Sequence, residues 1–153
     1  MRRLLALALV LAPLGATAQL ADAKVLTLQA AKTMMAAAEA EARRNNWTVS
    51  IAIVDASGEL VAFQRMDDAP FASIAIAPGK ARTAARFRRP TKALDSTVAT
   101  GRVQVMSLEG VVAVEGGVPI VVNGKVVGAV GASGATSAQD AQVARAGVEA
   151  VKP

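Results

Sequence analysis

The sequence contains no cysteine, no histidine and no tyrosine among its 153 residues. Without cysteine, the protein has no disulfide framework, no thiolate nucleophile and no means of lipid anchoring through a thiol. Without histidine, it has no Ser-His-Asp triad, no HExxH zinc motif and no imidazole ligand for iron or another metal. These absences favour a binding protein over an enzyme that performs demanding chemistry.

Aromatic residues are also scarce, at 3% of the chain, with Trp47 as the single tryptophan. The sequence therefore offers no aromatic platform on which bases or sugars would stack. Hydrophobic residues make up 53% of the chain, so the core must consist of small aliphatic side chains that pack closely. Gly128, Gly131 and Gly134 match neither a phosphate-binding loop nor a dinucleotide fingerprint. They predict a strand end and a turn, and the alternative is a backbone N–H site for a carboxylate at the following helix.

The N-terminal residues have the pattern of an export signal. Arg2 and Arg3 precede an apolar run from Leu4 to Leu14, and Ala16-Thr17-Ala18 forms an A-x-A cleavage site. We expect residues 1–18 to be a signal peptide, residues 19–153 a single domain, and the location periplasmic or secreted. The alternatives are an uncleaved anchor or a buried first helix, but the run is shorter than the roughly 18 residues of a membrane span. Removal of Arg2 and Arg3 with the signal lowers the net charge of +5 to +3, and this mild excess, with export, favours an anionic ligand or a solvated surface rather than nucleic acid.

Hydrophobic periodicity predicts the secondary structure of the first half of the domain. Apolar residues at helical spacing predict an amphipathic helix from Thr27 to about Arg44. Alternation predicts a hairpin of strands Thr48–Val54 and Glu59–Arg65. An alanine-rich stretch, Ser73–Phe87, is helical in pattern, but Pro78 predicts a break and a helix that starts near that residue.

The second half contains a further hairpin and a final helix. Pro90–Leu94 predicts a short helical turn, and Asn123-Gly124 predicts a two-residue turn between strands Val118–Val122 and Lys125–Val130. A glycine-containing loop is expected at residues 131–136, and Ser137 to Asp140 resembles a capping box before the last helix. Hairpins with helices packed against them predict an α+β domain with an antiparallel sheet.

Two groups of charged side chains are candidates for a functional site. Arg82, Arg86 and Arg89 recur at helical spacing close to Lys80, which predicts a cationic face able to clamp carboxylates, with a solvated or subunit-pairing face as the alternative. A second group of carboxylates offers a general base or hard-metal ligands, with ordinary turn chemistry as the alternative. Its members are Asp55, Glu59, Asp67 and Asp68.

Five segments in order make the chain similar to the GlcG/HbpS family of haem-binding or haem-degrading domains, which also form the C-terminal domain of PduO-type cobalamin adenosyltransferases. The segments are Ser50–Asp55, Phe63–Asp67, Lys80–Ala84, Glu115–Ile120 and Gly128–Gly134. The resemblance extends from Leu26 to Val151. It implies a profilin-like fold with about five antiparallel strands and helices on the faces of the sheet. It also implies a homo-oligomer with a small-molecule ligand, usually haem. We expect no stable membrane insertion of the mature chain.

One residue departs from the family pattern. Many relatives have histidine after the glycine of the first hairpin, where this chain has Glu59. We therefore expect Arg65, Lys80 and Arg82 to hold the ligand's carboxylates along one rim of a shallow groove, with Met66 playing no part in iron ligation. The remaining candidate ligand-binding residues are Glu59, Asp67, Glu115, Gly116 and Gly117.

Two other functions remain open from the sequence. One is an enzyme or accessory protein that acts on a small hydroxy- or oxo-acid, with Glu59 or Asp67 as base and Lys80 orienting the substrate. The other is a structural oligomer without a ligand.

Overall fold

The computed structural model describes residues 23–151, so the predicted signal peptide lies outside the described residues. Within this range the chain forms four α-helices, four strands and a short 3-10 helix. In chain order these elements are α1 Leu28–Arg44, β1 Ser50–Asp55, β2 Leu60–Arg65, α2 Ser73–Phe87, α3 Thr91–Ala99, the 3-10 helix Val103–Ser107, β3 Gly117–Val122, β4 Lys125–Ser133 and α4 Ser137–Glu149. No helix among the described residues is long and apolar enough to cross a membrane.

The strands form one antiparallel sheet in the order β2-β1-β4-β3. Helices α1 and α4 cover one face, where aliphatic side chains make the main core, and α2 covers the other face with a layer built mainly of alanine. The α+β class and the helices on the faces of the sheet are confirmed. The residues that the structure describes contain four strands rather than the five expected.

Three boundaries differ from the sequence predictions. Helix α2 continues through Pro78, which was expected to break it. The carbonyl that Pro78 leaves without a helical donor belongs to Ile74, in the first turn, and Ile74 is 41% exposed, so water can satisfy that carbonyl. Strand β4 extends through the predicted glycine loop as far as Ser133, and α3 continues beyond the predicted turn to Ala99.

The capping box of α4 also begins one residue earlier than predicted. Thr136 accepts a hydrogen bond from the Gln139 backbone N–H, and the Gln139 side chain accepts one from the Thr136 N–H. Asp140 is therefore not needed as the acidic member of the box. Its carboxylate is free to bind another part of the fold.

Helix α2 lies unusually close to strand β4 because both present almost no side chain at the contact. A Cβ atom on Gly131 would lie 2.6 Å from the backbone nitrogen of Ala81 and would also collide with the carbonyl oxygen of Ala77. Gly117, on β3, faces the same helix, and a Cβ there would lie 2.8 Å from the carbonyl carbon of Lys80. The glycines therefore set the distance between the helix and the sheet.

A buried ion pair connects α2 to α4. The ammonium of Lys80, whose side chain is 2% exposed, lies 2.8 Å from the Oδ2 atom of Asp140, whose side chain is 3% exposed. The other carboxylate oxygen of Asp140 accepts a hydrogen bond from the Ala135 N–H at 3.0 Å. Burial raises the pKa of Asp140 above its usual value, although Lys80 and the Ala135 N–H oppose this shift. The pair joins the two layers of helices at one end of the sheet.

Replacing Gly131 with alanine tests the close approach of α2 to β4. The added methyl group meets backbone atoms that cannot rotate away, so we expect Gly131→Ala to lower the free energy of unfolding by about 2–3 kcal/mol. Gly147→Ala is the matched control. The added Cβ would lie 3.1 Å from its nearest neighbour, the carbonyl oxygen of Met34, and alanine has a higher helix propensity than glycine. Urea denaturation measures both. Equal stability of the two variants would show that the helix can shift away from the sheet at little cost.

Removing one member of the buried pair should be costly. Lys80→Met leaves the carboxylate of Asp140 buried without a counter-charge, and we expect a loss of about 3–5 kcal/mol in unfolding free energy. The double variant Lys80→Met with Asp140→Leu should recover most of this loss. As a control, Glu59→Gln breaks an exposed pair with Arg86 and should cost less than about 1 kcal/mol. A Lys80→Met variant as stable as this control would contradict the structural role of the pair.

Candidate ligand-binding site

The turn between β1 and β2 is fixed by its own aspartate. The carboxylate of Asp55 accepts hydrogen bonds from the Ser57 hydroxyl at 2.6 Å, the Ser57 N–H at 2.9 Å and the Glu59 N–H at 3.0 Å. These bonds, first among them the one from the Ser57 hydroxyl, hold the pKa of Asp55 below its usual value. Of the two interpretations of Asp55, turn chemistry accounts for its contacts. The turn is therefore a rigid platform at one end of β2.

Two arginines of α2 lie against this turn. Arg82 Nε donates to the carbonyl of Gly58 at 3.3 Å, and Arg86 Nε donates to the carbonyl of Ser57 at 2.8 Å. Arg86 also pairs with the carboxylate of Glu59 at 3.0 Å. Gly58 has φ +89°, and a Cβ there would lie 2.9 Å from Arg82 Cγ and from Arg86 Nε. The predicted spacing of Arg82 and Arg86 along one helix face thus brings both to the hairpin.

Strand β2 is an edge strand whose face on the α2 side is left largely open. Leu60, Phe63 and Arg65 pair in register with Val54, Ala52 and Ser50 of β1. Val54 and Ala52 pack under α2, and cross-strand partners share a face of the sheet, so these three β2 residues also point to the α2 side. Leu60 is 53% exposed and Phe63 is 37% exposed.

The neighbouring side of α2 continues this surface. Ile74, Pro78 and Arg82 recur every four residues and share one side of the helix, and Arg82 places that side next to the hairpin. Phe71, just before the helix, is 81% exposed, and the Arg65 guanidinium lies 5.2 Å from the centre of its ring. We call this the hairpin–α2 surface. Its residues are Glu59, Leu60, Phe63, Arg65, Phe71, Ile74, Arg82 and Arg86.

Two cations of this surface have no acidic partner within residues 23–151. Among the ion pairs formed by the described residues, none includes Arg65 or Arg82, whereas Arg86 is paired with Glu59. Arg65 is exposed and Arg82 is partly exposed. Both guanidinium groups are therefore available to a carboxylate from a ligand, next to exposed aliphatic and aromatic side chains.

The other predicted site residues lie at the opposite edge of the sheet, beside β3. Glu115 pairs with Lys92 at 2.9 Å, and its N–H donates to the carboxylate of Asp95 at 3.0 Å. The Gly117 N–H donates to the hydroxyl of Thr91 at 2.9 Å. Gly116 has φ +136°, and a Cβ there would lie 2.7 Å from Lys80 Nζ. This segment covers the buried lysine, and only glycine fits against it.

The expected common rim of Arg65, Lys80 and Arg82 is therefore not formed. Residues two apart on a helix point about 200° away from each other, so Arg82 faces β2 while Lys80 faces β3 and Asp140. Sequence reasoning missed Asp140 as the partner of Lys80. The available signal was that Lys80 falls on the same helical stripe as Ala77, Ala81 and Ala84, which is the buried stripe of α2. Ligand binding by the individual predicted residues stays a prediction.

Asp67 and Met66 lie just beyond β2. Asp67 is exposed in a turn, whereas Met66 is 9% exposed and packs into the main core. That Met66 plays no part in iron ligation stays a prediction. Among residues 23–151, no three acidic side chains come close enough together to form a metal site.

An open cleft lies elsewhere, next to the turn at Asn123-Gly124. Its volume is about 630 Å³, and its lining includes Lys24, Val122 and Lys125. The cleft holds two lysines but no other charged side chain, and none of its lining residues was a candidate from sequence. The hairpin–α2 surface remains the better candidate because it combines available cations with exposed apolar side chains.

Comparisons with known proteins agree with this architecture. The family model described as haem degrading protein HbpS-like matches residues 26–149. The protein GlcG of Escherichia coli strain K12 is 48% identical over 107 residues, which are 69% of this chain and 79% of GlcG. The family match spans nearly all of the described residues.

Two solved structures have the same fold. A crystal structure of HbpS superposes with a TM-score of 0.82 at 32% identity, covering 88% of this chain and 96% of HbpS. A crystal structure of a PduOC–haem complex superposes with a TM-score of 0.77 at 29% identity, covering 84% of this chain and 96% of PduOC. From the extent of the family match, the identity to GlcG and the shared fold, we conclude that this chain belongs to the HbpS-like family.

Proposed function

We propose that this protein is an exported binding protein for haem or a closely related anionic ligand, and that the ligand lies on the hairpin–α2 surface. The observation that carries the proposal is the pair of cations, Arg65 and Arg82, which have no acidic partner among the described residues and lie beside an uncovered apolar strand face. The family match and the haem complex of PduOC support haem as the ligand class. The signal-like N-terminus supports export.

The chemistry of the surface fits the two parts of haem. Haem combines a flat apolar ring system with two anionic propionates. Leu60, Phe63 and Ile74 offer apolar contact, while Arg65 and Arg82 offer planar donors that match carboxylates. When bound, haem would supply iron chemistry, and this chain would contribute binding and orientation.

The first hairpin of this chain lacks the imidazole that many relatives have. Glu59 occupies the position where they have histidine, its side chain is 64% exposed, and Arg86 holds it at 3.0 Å. At this position the chain offers a carboxylate oxygen, and an imidazole ligand is excluded by the sequence. We expect most of the affinity to come from the propionates and the apolar contacts.

Haem titration followed at the Soret band tests whether Arg65 and Arg82 contribute to haem affinity. We expect Arg65→Ala and Arg82→Ala each to raise the dissociation constant about three- to tenfold, because each removes a charge-assisted hydrogen bond. Added salt should also weaken binding, because exposed charges are screened. Arg145→Ala, which removes an exposed arginine from α4, is the control and should leave affinity unchanged. The proposal fails if micromolar haem gives no Soret shift, or if all three variants behave alike.

Introducing the missing imidazole tests the position of the iron. We expect Glu59→His to change the visible spectrum of the haem-bound protein and to tighten binding, because a nitrogen ligand then reaches the metal. Arg145→His, which introduces an imidazole at an exposed position of α4 away from this surface, is the matched control and should produce neither change. Met66→Leu should also leave the spectrum unaltered, since Met66 is in the core. A spectrum unaffected by Glu59→His would place the iron away from the hairpin.

A further inference from the structure

The turn between β3 and β4 has a cleft on each side. Val122 packs against the main core on the α1 side of the sheet, so its neighbour Val121 points to the α2 side. The cleft of about 630 Å³ is lined in part by Val122 and Lys125. A second cleft, of about 470 Å³, is lined by Arg88, Val121, Gly124, Lys125 and Val126. A Cβ on Gly124 would meet no atom within 4 Å, so the turn projects into open space.

Three cations surround this turn and come from three separate segments of the chain. Lys24 precedes α1, Arg88 ends α2 and Lys125 begins β4. All three are exposed, and none takes part in an ion pair formed within residues 23–151. No acidic residue is among those that line the two clefts. The turn therefore carries a concentration of positive charge.

The acidic residues of the other hairpin do not neutralise this charge. The β1–β2 turn lies at the same end of the sheet, because Asp55 pairs with Gly128 of β4. The carboxylate of Asp55 accepts its hydrogen bonds from Ser57 and from the Glu59 N–H. The carboxylate of Glu59 pairs with Arg86. Both carboxylates are therefore already engaged within their own turn and its helix.

Exposed aliphatic side chains lie among the three cations. Val25, next to Lys24 in the chain, is 78% exposed, and Val121, which lines the same cleft as Arg88, is 49% exposed. We call this surface the basic patch, and its residues are Lys24, Val25, Arg88, Val121 and Lys125. Cations beside exposed aliphatic groups match the boundary of an anionic bilayer, where phosphate headgroups meet acyl chains. Nucleic acid fits less well, because the patch has no aromatic side chain on which bases would stack.

The place where the chain enters the domain points to the same partner. Ala23, the first described residue, lines the larger cleft. The apolar run from Leu4 to Leu14 precedes it in the sequence. Such a run engages a membrane during export, and the basic patch lies where the chain from that run reaches the domain.

We infer that the basic patch docks this domain reversibly on an anionic lipid surface. The three cations meet the headgroup phosphates, while Val25 and Val121 reach the boundary of the acyl region. No helix inserts into the bilayer. The inference does not depend on haem binding, which we assign to Arg65 and Arg82, so the two proposals succeed or fail separately.

Sedimentation with lipid vesicles measures the docking. The protein is used from Gln19 onwards, which is the expected mature chain and contains every element of the fold. We expect it to bind vesicles made of equal parts phosphatidylcholine and phosphatidylglycerol, but not vesicles of phosphatidylcholine alone. Added salt should weaken this binding. Arg88→Glu and Lys125→Glu should each weaken it about fivefold or more, because each replaces a cation with an anion.

Arg145→Glu is the matched control for these charge reversals. It makes the same change at an exposed position of α4 that lines neither cleft, and it should leave vesicle binding unchanged. Lys125→Arg keeps the charge and should bind like the unmodified protein. A circular dichroism spectrum of each variant verifies that the fold is retained.

The aliphatic part of the patch separates a lipid surface from any other polyanion. Val121→Gln should weaken binding to the phosphatidylglycerol vesicles and leave binding to heparin, a soluble polyanion, unchanged. The inference is overturned by no binding to the anionic vesicles, by equal binding to both kinds of vesicle, or by equal losses in Lys125→Glu and Arg145→Glu. Vesicle binding that is unaffected by Val121→Gln would show a general polyanion site and also overturn it.

Discussion

The close contact between α2 and β4 is the constraint on which the other features of this protein depend. Gly131 allows the backbone of α2, at Ala77 and Ala81, to lie directly on the strand. A chain with few aromatic residues needs such contacts, because small side chains fill a core only when their elements approach closely. Helix α2 can therefore shift little relative to the sheet, and each of its side chains points in a fixed direction.

That fixed position sorts the charged residues of α2 into different environments. Lys80 points under Gly116 to Asp140 and stabilises the fold, while Arg82 and Arg86 point to the β1–β2 turn. Lys80 is poorly suited to capture a ligand, because an ammonium that moved to the ligand would leave the carboxylate of Asp140 buried without a counter-charge. The exposed arginines carry no such penalty, which is why we assign the ligand's carboxylates to them.

The proposed ligand surface also depends on the position of α2. It uses the face of the edge strand β2 that α2 leaves uncovered. Leu60 and Phe63 remain exposed on that face because the alanine-rich layer under α2 is complete without them. The close packing that stabilises the chain thus leaves apolar side chains available for a ligand.

Local sequence was sufficient for much of the fold and for part of the site. Periodicity and turn residues determined α1, both hairpins and the α+β class, because these depend on interactions between neighbours in the chain. The spacing of Arg82 and Arg86 likewise put both on one helix face. The continuous α2, the full length of β4 and the separation of Lys80 from Arg82 were decided only by tertiary structure. Each depends on contacts between distant segments, such as Gly131 with Ala81 and Lys80 with Asp140, and no local pattern encodes which distant backbone or carboxylate a residue will meet.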